Sequence, residues 1–253
     1  MNEDPQMVSV LGDSHSTLFF PTHFYAGRLG YRDSLPVRVT GRSIRAASLA
    51  GFRPGSSKLN VKEEISAALA EAQKLVLAFG QVDLELGYYY RLAIKQEEIE
   101  PTRYVEWLLA IYRDFLNGLE LAPCDVALKG VNLTALSPRG FATRYVSRIV
   151  TEGKDMTWKE AVPVVRPHVL SEGEQNAMHL AFNAGLAQLT EELGLRYFDL
   201  NEELATSPHP ALAAGPITLA DQFKTGAFDH HVADTVVARR VHYEGLLKAF
   251  DLL

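Results

Sequence analysis

Apolar positions along the chain follow two rhythms in turn. Short aliphatic or β-branched runs, bounded by polar residues, fall at Met7–Leu11, Pro36–Thr40, Lys74–Phe79, Asp125–Val131 and Leu195–Leu200. Runs of that length and make-up read as strands. Between them lie longer stretches whose apolar residues repeat at helical spacing with charges opposite: Val61–Gln73, Thr102–Glu120, Glu174–Leu193 and Asp234–Phe250. Each has the apolar stripe of an amphipathic helix. Gly194 stands just after the third of these, where a left-handed C-cap ends a helix. Alternating strands and helices predict right-handed crossovers and a parallel sheet covered on both faces. The expected fold class is therefore α/β: a flavodoxin-like three-layer α/β/α sandwich on a parallel sheet of about five strands.

One stretch breaks the alternation. Ser137–Glu174 is long, locally basic and only weakly periodic. Connections of that length inside an α/β domain are usually functional or partly disordered. We read residues 1–253 as a single domain in which 137–174 is a lid or specificity insertion. No repeat, linker or low-complexity tract divides the sequence.

Composition narrows the picture. The chain of 253 residues is 47% hydrophobic and 22% charged, as expected of a protein with a sizeable core. A net charge of -6 speaks against a nucleic-acid surface, which is usually basic. The single cysteine, Cys124, rules out an intrachain disulfide and demands no oxidising compartment. The opening MNEDPQ has neither the basic nor the apolar part of a secretory signal, and no apolar run is long enough to span a bilayer. A cytoplasmic protein without membrane association is the expectation.

In an open parallel sheet, ligands bind at the carboxyl ends of the strands. The first strand ends in Gly12-Asp13-Ser14-His15 and the second in Gly41. The third ends in FGQVD, with Gln81, Val82 and Asp83, and the fourth in Asn132. Ahead of the last helix stands FDHH, with Asp229, His230 and His231. These four blocks, LGDSHS, Gly41, FGQVD and FDHH, resemble in order and spacing the conserved blocks of the SGNH (GDSL-type) hydrolases. The chain departs from that pattern at Val82, which stands where the family keeps an asparagine donor. It departs again at Asp229 and His231, which are separated by His230 alone.

The resemblance implies an ester hydrolase. A serine hydroxyl becomes a nucleophile only when a base takes its proton and a carboxylate orients that base. Ser14, His231 and Asp229 would fill those roles, with His230 held open as the alternative base. The backbone N–H groups of Ser14 and Gly41, with the Gln81 amide replacing the missing asparagine, would hold the oxyanion. His15, Asp83, His230 and Asn132 would contact substrate. Each residue also has a plainer reading. Ser14 could cap a helix, and His231 could be an ordinary surface histidine. Gln81 could face solvent, and Asp83 could bind loop backbone. Asp229 could cap the last helix, although Asp234 is better placed to do so. GYYYR (Gly87–Arg91) offers aromatic faces to a sugar, or packs its tyrosines on the sheet. The basic residues Arg139, Arg144, Arg148 and Arg166 could meet an anionic acceptor, or form a solvated face.

Other chemistries find little support. GFRPGSSK (Gly51–Lys58) lacks the lysine–hydroxyl ending of a phosphate loop. Neither Gly-x-Ser-x-Gly nor His-Glu-x-x-His occurs. Asp13, Asp83, Asp229 and His230 or His231 could form a divalent-metal phosphoesterase site. The favoured reading takes no metal and no cofactor. It hydrolyses an acyl ester, expected to be acetyl, on a carbohydrate or small molecule. An O-acyltransferase or a noncatalytic SGNH-like binding protein, fed by Val82, is the alternative.

Overall fold

The computed structural model describes residues 6–20, 29, 35–55, 59–206 and 217–253. The N-terminal residues 1–5 and the end of the Gly51–Lys58 run, 56–58, lie outside them. The strands are β1 (Gln6–Gly12), β2 (Val37–Ser43), β3 (Lys74–Ala78), β4 (Asp125–Lys129) and β5 (Arg196–Phe198). All pair in parallel, in the order β2-β1-β3-β4-β5. That is the flavodoxin-like order, with its topological switch between β1 and β3.

The helices are α1 (Val61–Glu71), α2 (Pro101–Asn117), α3 (Arg139–Val150), α4 (Trp158–Val165), α5 (Glu172–Leu193), α6 (Asn201–Leu204) and α7 (Val236–Ala249). Alternate residues of each strand face opposite ways, so the sheet builds two cores. Leu11, Leu75, Leu77 and Leu128 pack with Ile65 of α1, Leu108 and Tyr112 of α2, and Phe182 and Leu186 of α5. Val8, Val10, Val76 and Ala127 face the other way, against Leu204 of α6 and Ala238, Tyr243 and Leu246 of α7. Each fully buried Val, Leu, Ile or Phe side chain here contributes about 1.5–3 kcal/mol relative to exposure. The layers are helix, sheet, helix.

The sequence-based spans differ from the observed ones mainly at the sheet edges. β2 runs on to Ser43, because its pairing with β1 continues until Ser43 meets Gly12. β5, the opposite edge, stops at Phe198, because Leu200 turns the chain into α6. After β3 the chain enters π-type helical turns at Asp83–Gly87 and Tyr90–Ile94. Tyr88 and Tyr89 are buried there, and the Tyr89 hydroxyl lies 2.5 Å from Gln175 Oε1. Their packing matches the plainer reading of GYYYR. The 137–174 stretch is helical rather than irregular. Ala142, Tyr145 and Val146 of α3 and Ala161 and Val165 of α4 join the larger core.

Candidate active site

β1 ends under tight geometric constraint. A Cβ on Gly12 would lie 2.5 Å from Ala78 O, so only glycine lets β1 pass this close to the end of β3. The chain then bends at Asp13, the N-cap of a short 3-10 helix, Ser14–Phe19. Asp13 Oδ1 accepts from His15 N–H at 3.0 Å and Oδ2 from Val82 N–H at 3.4 Å. Asp13 is nearly inaccessible, and burial pushes its carboxyl up to about 6 against those two donors. Ser43 Oγ donates to Asp13 O at 2.9 Å, joining β2 to the turn. Ser14 opens the helix, half-buried at the carboxyl edge of the sheet.

The chain returns to this edge just ahead of α7. His231 Nε2 lies 2.8 Å from Ser14 Oγ, although the two residues are 217 apart in sequence. His231 Nδ1 lies 2.6 Å from Asp229 Oδ1. That oxygen also accepts from the His230 N–H at 2.7 Å. Burial raises the Asp229 carboxyl, but the His231 hydrogen bond and charge, with the His230 N–H and charge, together outweigh it, and the net shift is downward. An ionised carboxylate can only accept, so Nδ1 carries the imidazole proton. Nε2 then offers its lone pair to the Ser14 hydroxyl. Burial first and the His230 charge second hold the His231 pKa below its ordinary value, over the opposing pull of Asp229. The imidazole therefore favours the neutral form that accepts a proton.

The loop carrying these groups is tied down. Ala233 N–H donates to Phe223 O at 2.8 Å. Arg239 of α7 binds both oxygens of Asp234 at 2.6 and 2.8 Å. Asp234 is thus an ion-pair partner, and Thr235 caps α7 by accepting from Ala238 N–H at 3.1 Å. That corrects the capping expected of Asp234. Tyr145 OH of α3 lies 3.5 Å from Asp229 Oδ1.

Four expected site residues are placed differently. Gly41 is inside β2 opposite Val10, short of the strand end, with φ 92°. A Cβ there would come 2.2 Å from Val10 O, so this glycine serves a close approach of β2 to β1, away from Ser14. Gln81 faces inward: Nε2 donates to Glu85 Oε1 at 2.9 Å and Asn132 O at 3.1 Å, and Oε1 accepts from Asn132 N–H at 2.7 Å. With both ends engaged, its amide is not directed at an oxyanion. Asp83 accepts from Leu49 and Ala50 N–H groups at 2.7 and 3.1 Å, and burial pushes its carboxyl up to about 7. It binds loop backbone, the plainer reading, rather than substrate. His230 points beneath the site, with Nδ1 2.8 Å from Glu85 Oε2, and does not reach Ser14.

His15 and Asn132 do line the cleft of about 350 Å³ that holds Ser14, Asp229 and His231. Asn132 Oδ1 accepts from Lys129 Nζ at 2.8 Å, which fixes its side chain at the end of β4. The His15 ring packs 4.3 Å from the His231 ring and 4.5 Å from that of His230, centroid to centroid. Burial, and then the charges of His230 and His231, lower its pKa well below the ordinary range.

Sequence reasoning missed Glu85, which is fully buried beneath His15 and His230. Burial raises its carboxyl, but the hydrogen bond and charge of His230, the charge of His179 and the Gln81 hydrogen bond together outweigh it, and the net shift is downward. Its signal was a lone carboxylate between Leu84 and Leu86, with Gln81 one helical turn earlier. Tyr145 was missed as well. The metal set of Asp13, Asp83 and Asp229 is not assembled, because the three carboxylates bind backbone N–H groups of different segments. Among the described residues, His15, His230 and His231 bring ring nitrogens within 4.8 Å of one another. His230 and His231 already use nitrogens on Glu85, Asp229 and Ser14.

No family model and no curated protein matches the sequence. Solved structures do match. A catalytic mutant of an acetylxylan esterase from Geobacillus stearothermophilus superposes with a TM-score of 0.50 at 11% identity, covering 100% of this chain and 98% of that one. A structure assigned to the SGNH hydrolases, from Slackia heliotrinireducens, matches at TM-score 0.47 and 17% identity over 98% and 100% of the two chains. An extracellular lipase from Streptomyces rimosus matches at TM-score 0.47 and 12% identity over 96% and 99%. The sheet order, the three layers and the likeness to the acetylxylan esterase make the fold that of the SGNH-type hydrolases. Identity this low carries the fold across and nothing finer.

Proposed function

We propose that the chain is a serine ester hydrolase in which Ser14 is the nucleophile, His231 the general base and Asp229 its orienting carboxylate. The observation that carries this reading is the continuous hydrogen-bonded series Ser14 Oγ, His231 and Asp229, at 2.8 and 2.6 Å. Ser14 Oγ attacks the ester carbonyl while Nε2 takes its proton. The imidazolium then protonates the leaving alkoxide. A water, activated the same way, adds to the acyl-serine and releases the acid.

The oxyanion needs donors in place before charge develops, and each is typically worth about 3–4 kcal/mol. Ser14 N–H is one; it has no acceptor among the described residues. In place of Gly41, the reading assigns the turn that follows β2. There Ala47 N–H donates to Ile44 O and Ala46 sits at φ 60°, leaving its own N–H without an acceptor among the described residues. Val82, just ahead of the first π-type turn, offers no side-chain donor.

A cleft of about 350 Å³ is at the small end for ligand sites and suits a short acyl group such as acetyl, on a carbohydrate or small molecule. The side chains of Asp229 and His231 remain 41% and 30% exposed, so water reaches the base, which favours hydrolysis over transfer to another hydroxyl. Among the described residues no helix is long and apolar enough to cross a membrane.

The test is covalent labelling of the purified protein with a fluorophosphonate, alongside Ser14→Ala. Labelling that vanishes in the variant supports the hydrolase. Well-folded wild-type protein that stays unlabelled and inert toward esters indicates a binding protein on the same fold.

A further inference from the structure

Next to the catalytic cleft lies a second, larger one of about 600 Å³, and Thr225 lines both. Three cations from separate elements line it: Arg144 of α3, Arg166 in the turn after α4, and Lys224 on the approach to the His231 loop. No Asp or Glu is among its lining residues. Lys224 does meet carboxylates outside that lining, Asp221 at 3.3 Å and Glu172 at 3.8 Å, and Glu172 also accepts from the lining Ser137 hydroxyl at 2.5 Å. Arg144 and Arg166 form no ion pair among the described residues. Arg166 is held through its backbone: its carbonyl accepts from the Arg139 guanidinium at 3.4 Å and its N–H donates to Val162 O. On a chain of net charge -6, such a grouping runs against the overall balance. A solvated basic face would spread along one helix. Here the cations converge on a concavity whose wall, Lys224 to Ala227, leads directly into Asp229. The first turn of α3, which reaches this cleft at Gly140, has no side-chain cap and adds to the positive potential.

We infer that this cleft binds an anionic group, a carboxylate or phosphoryl, carried on the ester substrate away from the reacting carbonyl. The inference rests on the hydrolase reading for its substrate and extends it: the ester is charged, and the 137–174 segment selects it. Guanidinium groups suit that task because their planar donors meet carboxylate or phosphate oxygens in pairs.

Two matched pairs of esters test it, each differing only in charge. In the acyl arm, 4-nitrophenyl glutarate with a free carboxylate is set against its methyl-capped form. In the alcohol arm, 4-acetoxybenzoate is set against its methyl ester. Ser14→Ala protein is titrated with each by calorimetry, and wild-type kcat/KM is measured. The anionic member of at least one pair should bind about tenfold more tightly, the effect of one charge-assisted contact. The advantage should shrink with salt and disappear in Arg144→Ala/Arg166→Ala, with neutral-ester kinetics unchanged. The single Arg144→Glu change should lower the preference too. The arm that responds tells which side of the ester carries the charge. Equal affinities in both arms, or a preference that survives the double substitution, overturn the inference. Ser14-dependent hydrolysis of the neutral esters without charge preference sinks this inference and leaves the hydrolase. Charge-selective binding without any Ser14-dependent turnover does the reverse.

Discussion

Two adjacent histidines sit in different surroundings, and the roles proposed for them follow from that. His231 reaches Ser14, whereas His230 is buried against a fully buried Glu85. Replacing His231 with Ala should lower kcat/KM on a small aryl ester at least about a thousandfold, as expected when one member of a hydrogen-bonded catalytic series is lost. Thermal stability should barely change. His230→Ala should show the opposite profile, a milder kinetic loss with about 2–4 kcal/mol of destabilisation, because the Glu85 carboxylate is left buried without its partner. Calorimetry and kinetics on both variants check the pair, and the reverse order would reassign the base. The pH profile follows from the same neighbours. A base must be neutral to accept a proton, and burial plus the His230 charge hold the His231 pKa down. Activity should therefore rise with pH and reach half its maximum below about 6.5, the ordinary histidine value. In His230→Ala both suppressing influences weaken, so that limb should move to higher pH. At this scale much was legible in the sequence. A hydroxyl after Gly-Asp at a strand end, and a carboxylate two residues before an imidazole ahead of the last helix, mark groups that meet over one sheet edge. Gly41 was misread because parallel register cannot be read from a single strand: pairing with β1 carries β2 on past it to Ser43.

The elements that hold these groups were visible to different degrees, for reasons of periodicity. Strands buried on both faces leave unmistakable apolar runs, and α2 and α5 are long enough to show their stripes. The π-type turns at Asp83–Gly87 and Tyr90–Ile94 shift the spacing of buried positions off the ordinary helical repeat. That is why Glu85 and the tyrosines were hard to place. The 137–174 segment looked irregular because α3 and α4 are short and α3 carries three exposed basic residues, Arg139, Arg144 and Arg148. Yet α3 places Tyr145 within 3.5 Å of Asp229 and 5.0 Å of the His230 ring. Removing the whole segment would therefore damage the loop that carries Asp229 and His231 together with any selectivity. A narrower change separates the two. Replacing α4 and its flanking turns (151–166) with a short linker should leave activity on a neutral aryl ester within a few-fold of wild type while abolishing preference for an anionic one. Equal losses on both would show that α4 holds the catalytic loop as well. The start of α5 permits a simpler test. Ser171 and Glu174 form a reciprocal cap, with Ser171 Oγ accepting from Glu174 N–H at 3.3 Å and Glu174 Oε2 accepting from Ser171 N–H at 2.8 Å. Ser171→Ala should cost about 1 kcal/mol, or about 2–4 °C in Tm for a chain of this size. Calorimetry checks it, with neutral-ester kinetics unchanged.

Across the whole molecule, the proposed site exists only because opposite ends of the sequence meet at the switch between β1 and β3. Ser14 hangs from the end of β1, held by Gly12 against Ala78 O and by Asp13 against Val82 N–H. Asp229 and His231 arrive from the far end of the chain and depend on different anchors: α7 through Arg239, α3 through Tyr145, and the Phe223 carbonyl. Those anchors draw on both cores, since Tyr145 belongs to one and Ala238 of α7 to the other. Loss of either core should therefore part the imidazole from the hydroxyl. Reactivity toward a fluorophosphonate then reports on the integrity of both layers, where most single side chains report on one. In a urea series, Ser14 labelling and the near-ultraviolet circular dichroism of the buried aromatics should fall together, with coincident midpoints. Labelling that disappears while the aromatic signal is still native would show that the loop carrying Asp229 and His231 opens by itself. Its ties to α3 and α7 would then be too weak to couple it to the two cores.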